Sequence, residues 1–575
     1  MNQFVPKLFD CMKGYSKEQF VKDVIAGIIV AIIALPLSIA LALASGVGPE
    51  QGIYTAIFAG FVISFLGGSR VQIAGPTAAF ATIVAGIVAE HQMEGLVVAT
   101  VMAGILLIIM GLLKFGNLIR FIPYTITSGF TFGIAVTIVI GQVKDFLGLT
   151  FTYSPVETMD KVKECVACIG TIQVQALIVG LVSLAILIVF PKVTEKIPPS
   201  LIAVIVAILM VKLLHMNVKT IGDLYTISNK VPGISMPKIS LGMIRDLFPI
   251  IESDNFVVTK GLDNCLFVYT IVLYSGDHRC FSICRERISG GMIGSRHKPN
   301  MELVAQGAGN IVSALFGGIP ATGAIARTAA NVKNGGRTPV AGMVHSVTLL
   351  LVLVVLMPYA AWIPMPAIAA ILFMVAYNMS GWREFVKLVR KSPKSDVAVL
   401  LVTFVLTVVF DLVVAIEVGI VLAALLFLKR MSDVTAVKSW KYLGSEIDEN
   451  NDPDQISLKV VPKHTLVYEI IGPMFFAAAD KFLEISAEPG IKVVIIRMRG
   501  VPAMDVTALR SLKNIHEICK KKGITLVLSH VQEQPRAMME KAGFVYHHNT
   551  VYHKFDGTPV ECRSYLLTRK AFETA

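Results

Sequence analysis

The sequence has few charged residues. Asp, Glu, Lys and Arg fill 16% of its 575 positions, while 54% of the positions are hydrophobic. Soluble domains usually carry charged residues at about a quarter of their positions. The composition therefore excludes an ordinary soluble protein for most of the chain and predicts an integral membrane protein with many spans.

Motifs that would indicate an enzyme are also missing. The sequence contains no nucleophile elbow, no phosphate-binding loop and no metal-ligand spacing that stands above background. Among eight cysteines, Cys165 and Cys168 form a C-x-x-C pair, but no second pair accompanies them, and we interpret the pair as incidental. We therefore predict a protein that is not an enzyme and that holds no metal or cofactor.

A cleavable signal peptide is not expected, because the lysines of residues 1–22 precede an apolar run of full spanning length. The net charge of +12 does not indicate a nucleic acid partner, since Lys and Arg accumulate in the cytoplasmic loops of membrane proteins. Loops after even-numbered predicted spans are basic, whereas the short loops SGVGPEQ and EHQMEG contain no Lys or Arg. This alternation predicts a multi-pass protein of the cell (inner) membrane with both termini in the cytoplasm.

The chain divides into four predicted segments. Residues 1–22 form a cytoplasmic lead-in, 23–428 a transmembrane domain, 429–454 a linker, and 455–575 a small α/β domain with alternating strand and helix patterns. The transmembrane domain is predicted to hold about fourteen spans: 24–44, 53–66, 75–89, 96–113, 124–140, 172–190, 200–214, 253–290, 303–315, 321–332, 340–357, 367–378, 397–410 and 412–427.

The third and tenth segments are too short to cross a bilayer, which requires about 20 apolar residues. They lie in LGGSRVQIAGPTAAF (66–80) and FGGIPATGAIARTAANVKN (316–334), whose paired glycines are 250 positions apart. Matching short segments interrupted by Gly and Pro indicate the central site of a transporter. A second match, RFIPYTITSGFTFGIAV (120–136) with AWIPMPAIAAILFMVAY (361–377), supports two inverted halves of seven spans each.

The beginnings of these two half-helices, near Pro76 and Ala321, predict an anion site at the bilayer midplane. A helix N-terminus offers free N–H groups and partial positive charge. Thr77, Thr322 and Thr328 would add hydroxyl donors. Arg327 would add a full positive charge. The alternatives for this arginine are a side chain that extends to the cytoplasm or one that pairs with a structural acid.

Several motifs resemble the SulP sulfate-permease family, the bacterial relatives of the animal multifunctional anion exchangers. They are ALPLSIALA (34–42), GVGPEQGIYTAI (46–57), FLGGSRVQIAGPTAAF (65–80) and the run from Met292 to Gly336, and AMDVTAL (503–509) resembles part of a STAS domain. The resemblance implies a seven-plus-seven inverted repeat with core and gate parts, an elevator-like motion, and a cytoplasmic STAS domain, often in a homodimer. It places the substrate near Pro76, Thr77, Ala78, Ala321, Thr322, Gly323 and Arg327.

The resemblance implies secondary active transport of an inorganic anion across the lipid bilayer, with sulfate as the first expectation. Alternatives are a sodium- or proton-coupled bicarbonate or dicarboxylate transporter, an anion channel, and a membrane-bound sensor that signals to a cytoplasmic partner through the STAS domain. A co-transported sodium ion or proton therefore stays open.

The predicted eighth span departs from the family, whose span is apolar and ends with an acid. Here the uninterrupted apolar core covers only residues 265–274, and six charged or histidine residues follow within residues 277–287. Two interpretations stay open for residues 253–290. One is a pair of compensating frameshifts, and the other is a divergent span in which Asp277 is the coupling acid.

Thr507 occupies the position at which some soluble STAS relatives carry a phosphorylated serine. A regulatory phosphorylation at Thr507 is therefore one prediction. Capping of a helix N-terminus by this threonine is the favoured alternative.

Overall fold

The structure is a computed structural model that divides into two compact units, residues 1–421 and 422–575. The residues that it describes are 4–116, 123–153, 155, 157–194, 198–225, 227, 230–234, 297–410, 412–434, 436–440, 464–476, 491–542, 552–553, 559–560 and 564–566. The predicted eighth span and Asp277 lie outside these residues, and neither interpretation of that region is tested.

The first unit consists of helices and one pair of short strands, β1 Ala74–Pro76 and β2 Ala321–Gly323. The bounds of the helices are α1 Lys7–Met12, α2 Lys17–Ala44, α3 Pro49–Leu66, α4 Ala81–Leu112, α5 Tyr124–Leu147, α6 Thr158–Ala167, α7 Val174–Val193, α8 Pro199–Leu213, α9 Ile221–Leu224, α10 Pro299–Leu315, α11 Ile325–Lys333, α12 Val340–Ala360, α13 Met365–Ser380, α14 Trp382–Lys391, α15 Lys394–Val409 and α16 Leu412–Val434, which continues into the second unit.

These helices follow the predicted spans in order, apart from the eighth. The third and fourth spans belong to one helical element, α4, which is kinked at Gln92, where φ is 56°. Six stretches of the described residues are long and apolar enough to cross a membrane, and the last of them joins α13 and α14. They are Lys17–Ala44, Ala81–Leu112, Tyr124–Leu147, Val174–Val193, Val340–Ala360 and Met365–Lys391.

The long helices pack in two groups. In the first group, α10 lies against α3 and α4, and α12 lies against α2 and α3. In the second group, α13 lies against α5 and α7, and α15 lies against α5. The core and gate parts that the resemblance implies stay a prediction.

Three helices of this unit were not predicted, and the shortest of them is the four-residue α9. Helix α6 lies in a stretch of mixed charge, and α14 lies in a basic stretch that we predicted to be a cytoplasmic loop. Both are amphipathic, and a search for long apolar runs does not detect amphipathic helices.

The predicted lead-in, residues 1–22, contains α1. The Lys298 ammonium lies 2.7 Å from the Asp10 carboxylate of this helix and lowers the pKa of Asp10.

The second unit contains a five-stranded sheet whose strands lie in the order β3 (Ala436–Trp440), β4 (Thr465–Ile471), β5 (Val493–Gly500), β6 (Thr525–Ser529) and β9 (Ser564–Leu566). Strands β4, β5 and β6 are parallel, and the outer strands β3 and β9 are antiparallel to their neighbours. A separate strand pair consists of β7 Tyr552–His553 and β8 Pro559–Val560. The helices of this unit are α17 Val506–Lys521 and α18 Glu533–Lys541. The mostly parallel α/β sheet agrees with the prediction.

The predicted linker, residues 429–454, is only partly a linker. It contains the end of α16 and the whole of β3, which pairs with β4 along five residues. The sheet therefore begins before the predicted boundary at residue 455. Strand β3 is short and has a lysine and a serine at its centre, so the alternation pattern did not reveal it.

Candidate functional site

The two unusual segments meet in the first unit as a pair of short strands. Strand β1, Ala74–Pro76, runs antiparallel to β2, Ala321–Gly323. Gly75 pairs with Thr322 at the centre of the pair. The segments that the sequence singled out as matching are therefore in direct backbone contact, although they are more than 240 positions apart.

The half-helices begin later than predicted. Pro76 and Ala321 are strand residues that pair with each other, so neither begins a helix. After β1 a 3-10 turn covers Ala78–Phe80 and α4 follows from Ala81, and after β2 the helix α11 begins at Ile325. Proline is compatible with this extended edge position because it has no N–H to donate. The predicted first residues of the two half-helices are therefore two to five residues too early.

Both helix beginnings lack a capping side chain among the described residues. Thr77 precedes the 3-10 turn and Ala324 precedes α11, and neither side chain accepts a hydrogen bond from the first turn. The N–H groups of each first turn point out of the helix, towards the space in front of its N-terminal end. Ala78 at the first beginning is almost fully buried, at 5% exposure.

Two threonine hydroxyls meet beside the strand pair. Thr322 Oγ1 lies 3.4 Å from Thr77 Oγ1, which connects the segment after β1 to the centre of β2. Thr322 is buried and Thr77 is half-buried. Gly323, the last residue of β2, is buried and pairs with Ala74. The structure thus brings together Pro76, Thr77, Ala321, Thr322 and Gly323.

Thr328 has a different contact from the one we predicted. Its Oγ1 accepts a hydrogen bond from the Ile73 N–H at 3.1 Å, and the side chain is buried. The Ala324 N–H donates to the Ile73 carbonyl oxygen at 2.8 Å. Thr328 therefore connects α11 to the residue before β1.

Arg327 is the largest side chain that is fully buried, with 0% exposure. This burial excludes the alternative in which it extends to the cytoplasm. Its Nη2 donates to Ser38 Oγ at 3.0 Å, and its Nη1 lies against Gly75, where an added Cβ would come within 2.1 Å of it. A side chain at position 75 would therefore require the guanidinium group to move.

The other alternative for Arg327, a pairing with a structural acid, is not present among the residues that the structure describes. Its Nε and Nη1 have no hydrogen-bond partner there. His345 is also fully buried and interacts electrostatically with Arg327. A buried arginine without a carboxylate is costly unless another negative charge compensates it.

Polar residues that the sequence did not single out hold β2 in place. The Asn310 side chain donates to the Ala321 carbonyl oxygen at 3.0 Å and accepts from the Ala321 N–H at 2.8 Å. The Ile319 N–H donates to Thr55 Oγ1 at 2.7 Å. The sequence feature that could have indicated a role for Asn310 is its amide side chain in the middle of the predicted span 303–315.

Glu302 on α10 holds the loop before β1. Its carboxylate accepts from the Gly68 N–H and from the Gln72 side chain, both at 2.8 Å, and from the Gln306 side chain at 3.2 Å. Gly68 also approaches the Lys298 carbonyl so closely that an added Cβ would lie 2.2 Å from it. Gly68, the second of the paired glycines at 67–68, therefore forms a close contact between two segments.

Asp23 has a similar role after α11. This fully buried acid near the beginning of α2 accepts from the Tyr15 hydroxyl at 2.8 Å, from the Arg337 N–H at 2.8 Å and from the Thr338 hydroxyl. It connects the beginning of the first span to the loop that follows the second half-helix.

A cavity of about 370 Å³ lies beside the C-terminal end of α11. Its lining residues belong to α2, α7, α8, α11 and α13 and to residues that adjoin them. The lining is mostly apolar, with Lys333 as the charged member among the residues that line it: Ile29, Ile33, Leu37, Leu187, Pro191, Thr194, Pro198, Pro199, Ser200, Ala330, Lys333, Asn334, Ile371, Met374, Val375 and Asn378.

Known proteins share both the sequence and the arrangement. The profile of the sulfate permease family matches residues 20–403. The chain belongs to the sulfate permease family. The STAS domain profile matches residues 455–555. A putative sulfate transporter of Bacillus subtilis, YvdB, is 38% identical over 95% of this chain and 97% of its own length. The bicarbonate transporter BicA of a Picosynechococcus strain is 28% identical over 90% of both chains.

Solved structures support the same fold. Murine solute carrier 26 family member A9, an anion transporter in the inward-facing state, has a TM-score of 0.80 at 18% identity and covers 94% of this chain and 90% of its own. The transmembrane domain of a cyanobacterial BicA has a TM-score of 0.55 at 25% identity and covers 71% of this chain and 98% of its own. These findings confirm the predicted helical membrane fold with a STAS domain. The chain is a multi-pass anion transporter by family and not an enzyme.

In the second unit, Thr507 lies exposed in the first turn of α17. The favoured alternative for this residue is wrong, because the cap is Asp505, whose carboxylate accepts from the Ala508 N–H at 2.8 Å. Asp505 has non-helical backbone angles and Thr507 is already helical, so only Asp505 can reach back to the first turn. Phosphorylation of Thr507 stays a prediction.

Proposed function

We propose that this permease carries an inorganic anion by secondary active transport and binds it beside the β1–β2 strand pair. The observation that carries the proposal is Arg327, which is fully buried without an acidic partner among the described residues. An anion at the neighbouring helix beginnings would compensate this charge. The uncapped first turns after Thr77 and Ala324 would donate backbone N–H groups to it.

Arg327 would act on the anion through charge rather than through direct contact. Its guanidinium lies against Gly75, and Gly75 pairs with Thr322, whose hydroxyl borders the helix beginnings. Inside a protein the effective dielectric constant is far below that of water, so a charge acts over several ångströms. The Thr77 and Thr322 hydroxyls are the proposed direct donors.

Sulfate is the proposed substrate, because the relative that is 38% identical over nearly the whole chain is described as a putative sulfate transporter. Bicarbonate is the second candidate, since bicarbonate transporters are 28% identical over 90% of the chain. Both anions offer oxygen acceptors to N–H and hydroxyl donors. A dicarboxylate substrate, a channel and a sensor are the remaining alternatives.

The proposed mechanism is alternating access in which the group containing α2, α3, α4, α10 and α12 moves against the group containing α5, α7, α13 and α15. The cavity beside α11 lies between members of these groups and supports this division. Cotransport of a sodium ion or a proton, Asp277 as the coupling acid, a homodimer, a cytoplasmic partner of the STAS domain, and cytoplasmic termini in the cell (inner) membrane belong to the same proposal.

The test is uptake of labelled sulfate and labelled bicarbonate by proteoliposomes, with imposed proton or sodium gradients. We expect gradient-driven sulfate uptake by the native chain and at most about 1% of that rate for Arg327→Ala, given the cost of losing a charge-stabilising group in a dry site. Arg510→Ala, which removes an exposed arginine of the second unit, is the control. Anion flux that follows the anion's own gradient and does not respond to the imposed proton or sodium gradient would favour a channel. Uptake of neither anion would contradict the proposal.

A further inference from the structure

Helix α14, Trp382–Lys391, is amphipathic and none of its residues is buried. Successive residues of an α-helix are rotated by about 100°, which separates its side chains into two faces. One face is basic and consists of Arg383, Lys387, Arg390 and Lys391. The opposite face is apolar and consists of Trp382, Phe385, Val386, Leu388 and Val389. The proposed function assigns no role to either face.

One point of the apolar face is attached to the helix bundle. The Phe385 ring stacks on the Phe132 ring of α5 with centroids 4.3 Å apart, and it meets the Phe404 ring of α15 edge-on at 5.6 Å. Trp382 and Val386 extend beyond this contact and remain 42% and 36% exposed. The attachment fixes the orientation of the helix and leaves apolar side chains uncovered on the same face.

Short chain connections keep α14 at the ends of α13 and α15. Gly381 alone separates it from α13, and Ser392 and Pro393 separate it from α15. An extended residue reaches at most about 3.6 Å, so these connections cannot carry α14 away from the ends of the two neighbouring helices. Gly381 has φ 56°, the left-handed conformation that allows the sharp turn out of α13.

We propose that α14 lies in the plane of the membrane surface and binds anionic lipid headgroups. Its uncovered apolar side chains enter the region between headgroups and acyl chains, and its basic side chains contact phosphate oxygens. Four basic residues less Glu384 give the helix a charge of +3. Glu384 pairs with Lys387 at 3.8 Å, but both side chains are largely exposed, so the pair leaves the positive face available.

Lipid fits this surface better than a protein partner does. The short connections place the uncovered apolar side chains beside the ends of the apolar helices α13 and α15, where a bilayer supplies lipid directly. Tryptophan beside arginine and lysine is also typical of membrane interfaces. Binding at α14 holds α5, α13 and α15 at a fixed depth, because Phe385 contacts α5 and α15 directly.

The first test measures the thermal unfolding midpoint of the full chain in nanodiscs of phosphatidylcholine with and without about 30% phosphatidylglycerol. One variant neutralises the basic face: Arg383→Gln, Lys387→Gln, Arg390→Gln and Lys391→Gln. A matched control removes four exposed charges of the second unit: Arg510→Gln, Lys520→Gln, Lys521→Gln and Lys541→Gln.

We expect phosphatidylglycerol to raise the midpoint of the native chain and of the control. At least half of that rise should be lost in the α14 variant, because each basic residue near an anionic surface contributes to binding. An equal rise in the α14 variant, no rise in the native chain, or an equal loss in the control would each overturn the proposal.

The second test locates Trp382 and does not depend on the multiple variant. The chain has three tryptophans, so quenching of tryptophan fluorescence by brominated phosphatidylcholine can be compared between the native chain and Trp382→Phe. Phenylalanine keeps the apolar face, and we expect the quenched component to fall by a third or more. An unchanged quenched component would show that Trp382 lies outside the bilayer and would overturn the proposal.

Discussion

Buried acids and the buried arginine of the transmembrane unit have opposite surroundings. Glu302 accepts hydrogen bonds from Gly68, Gln72 and Gln306, and Asp23 accepts from at least three donors. Arg327 donates only to Ser38 among the described residues. The donors of the acids come from distant parts of the chain, so each acid connects two segments. Arg327 also reaches distant segments, Ser38 and Gly75, but no described carboxylate compensates its charge.

The difference separates structure from function. A buried carboxylate that several donors satisfy stabilises the fold, because removing it leaves those donors without partners. A buried guanidinium without a carboxylate costs free energy in the empty state, and that cost falls when an anion binds nearby. The two kinds of buried charge should therefore respond to substitution in opposite ways.

The largest expected effect is on transport and concerns Arg327. Arg327→Met replaces the guanidinium with an apolar side chain of similar length. We expect at least a hundredfold loss of anion uptake, because the charge is lost from a site of low dielectric constant. We also expect the thermal unfolding midpoint to stay level or to rise, since an uncompensated buried charge is removed. Uptake and unfolding are measured on the same reconstituted sample.

Gly75→Ala provides the companion variant, because the added Cβ would displace the Arg327 guanidinium without removing its charge. Uptake should fall for Gly75→Ala too, although less than for Arg327→Met. A clear loss of stability in Arg327→Met with normal uptake would reverse the comparison and make Arg327 a structural residue.

The next effect is on stability and concerns Glu302. Glu302→Ala leaves the Gly68 N–H and two side-chain amides without their acceptor, and a buried unsatisfied donor costs about 1–3 kcal/mol. We expect the free energy of unfolding to fall by about 3 kcal/mol, with uptake per folded molecule changed much less. Glu302→Gln keeps one acceptor oxygen and should lose about half as much. Differential scanning fluorimetry in detergent measures the loss, and equal stability of Glu302→Ala would contradict the role.

The contrast between these residues also explains what the sequence reveals. Glycine and proline interrupt an apolar run visibly, so the two short segments could be recognised in the sequence. Arg327 could be recognised as a charged residue inside one of them. Glu302 and Asp23 lie at the ends of apolar runs, where charged residues are ordinary, and only their three-dimensional neighbours reveal a role. Strands β1 and β2 have three residues each, too few for an alternation pattern, so the helix beginnings were placed too early.

The two threonines give a smaller and sharper comparison within the site. Thr322→Val removes the hydroxyl that meets Thr77, whereas Thr328→Val removes the acceptor of the Ile73 N–H. Valine keeps the branched shape in both cases. We expect about a tenfold loss of uptake for Thr322→Val, because one hydrogen bond to a charged group contributes about 1.5 kcal/mol. Thr328→Val should instead lower stability by about 1 kcal/mol, and anion-dependent uptake rates with unfolding midpoints distinguish the two.

The smallest expected effect carries the comparison into the second unit. Asp505 resembles Glu302 on a smaller scale, because its carboxylate accepts from the Ala508 N–H and the Phe476 N–H, each at 2.8 Å. It is half-buried, so water replaces part of what a substitution removes. Asp505→Ala should lower the free energy of unfolding by about 1 kcal/mol, the usual cost of a lost helix cap. Thr507→Ala, which removes an exposed hydroxyl two residues later, should change it by less than about 0.5 kcal/mol. If both variants lost the same stability, Thr507 would share the capping role; if Asp505→Ala lost as much as Glu302→Ala, burial would not be what separates the two acids.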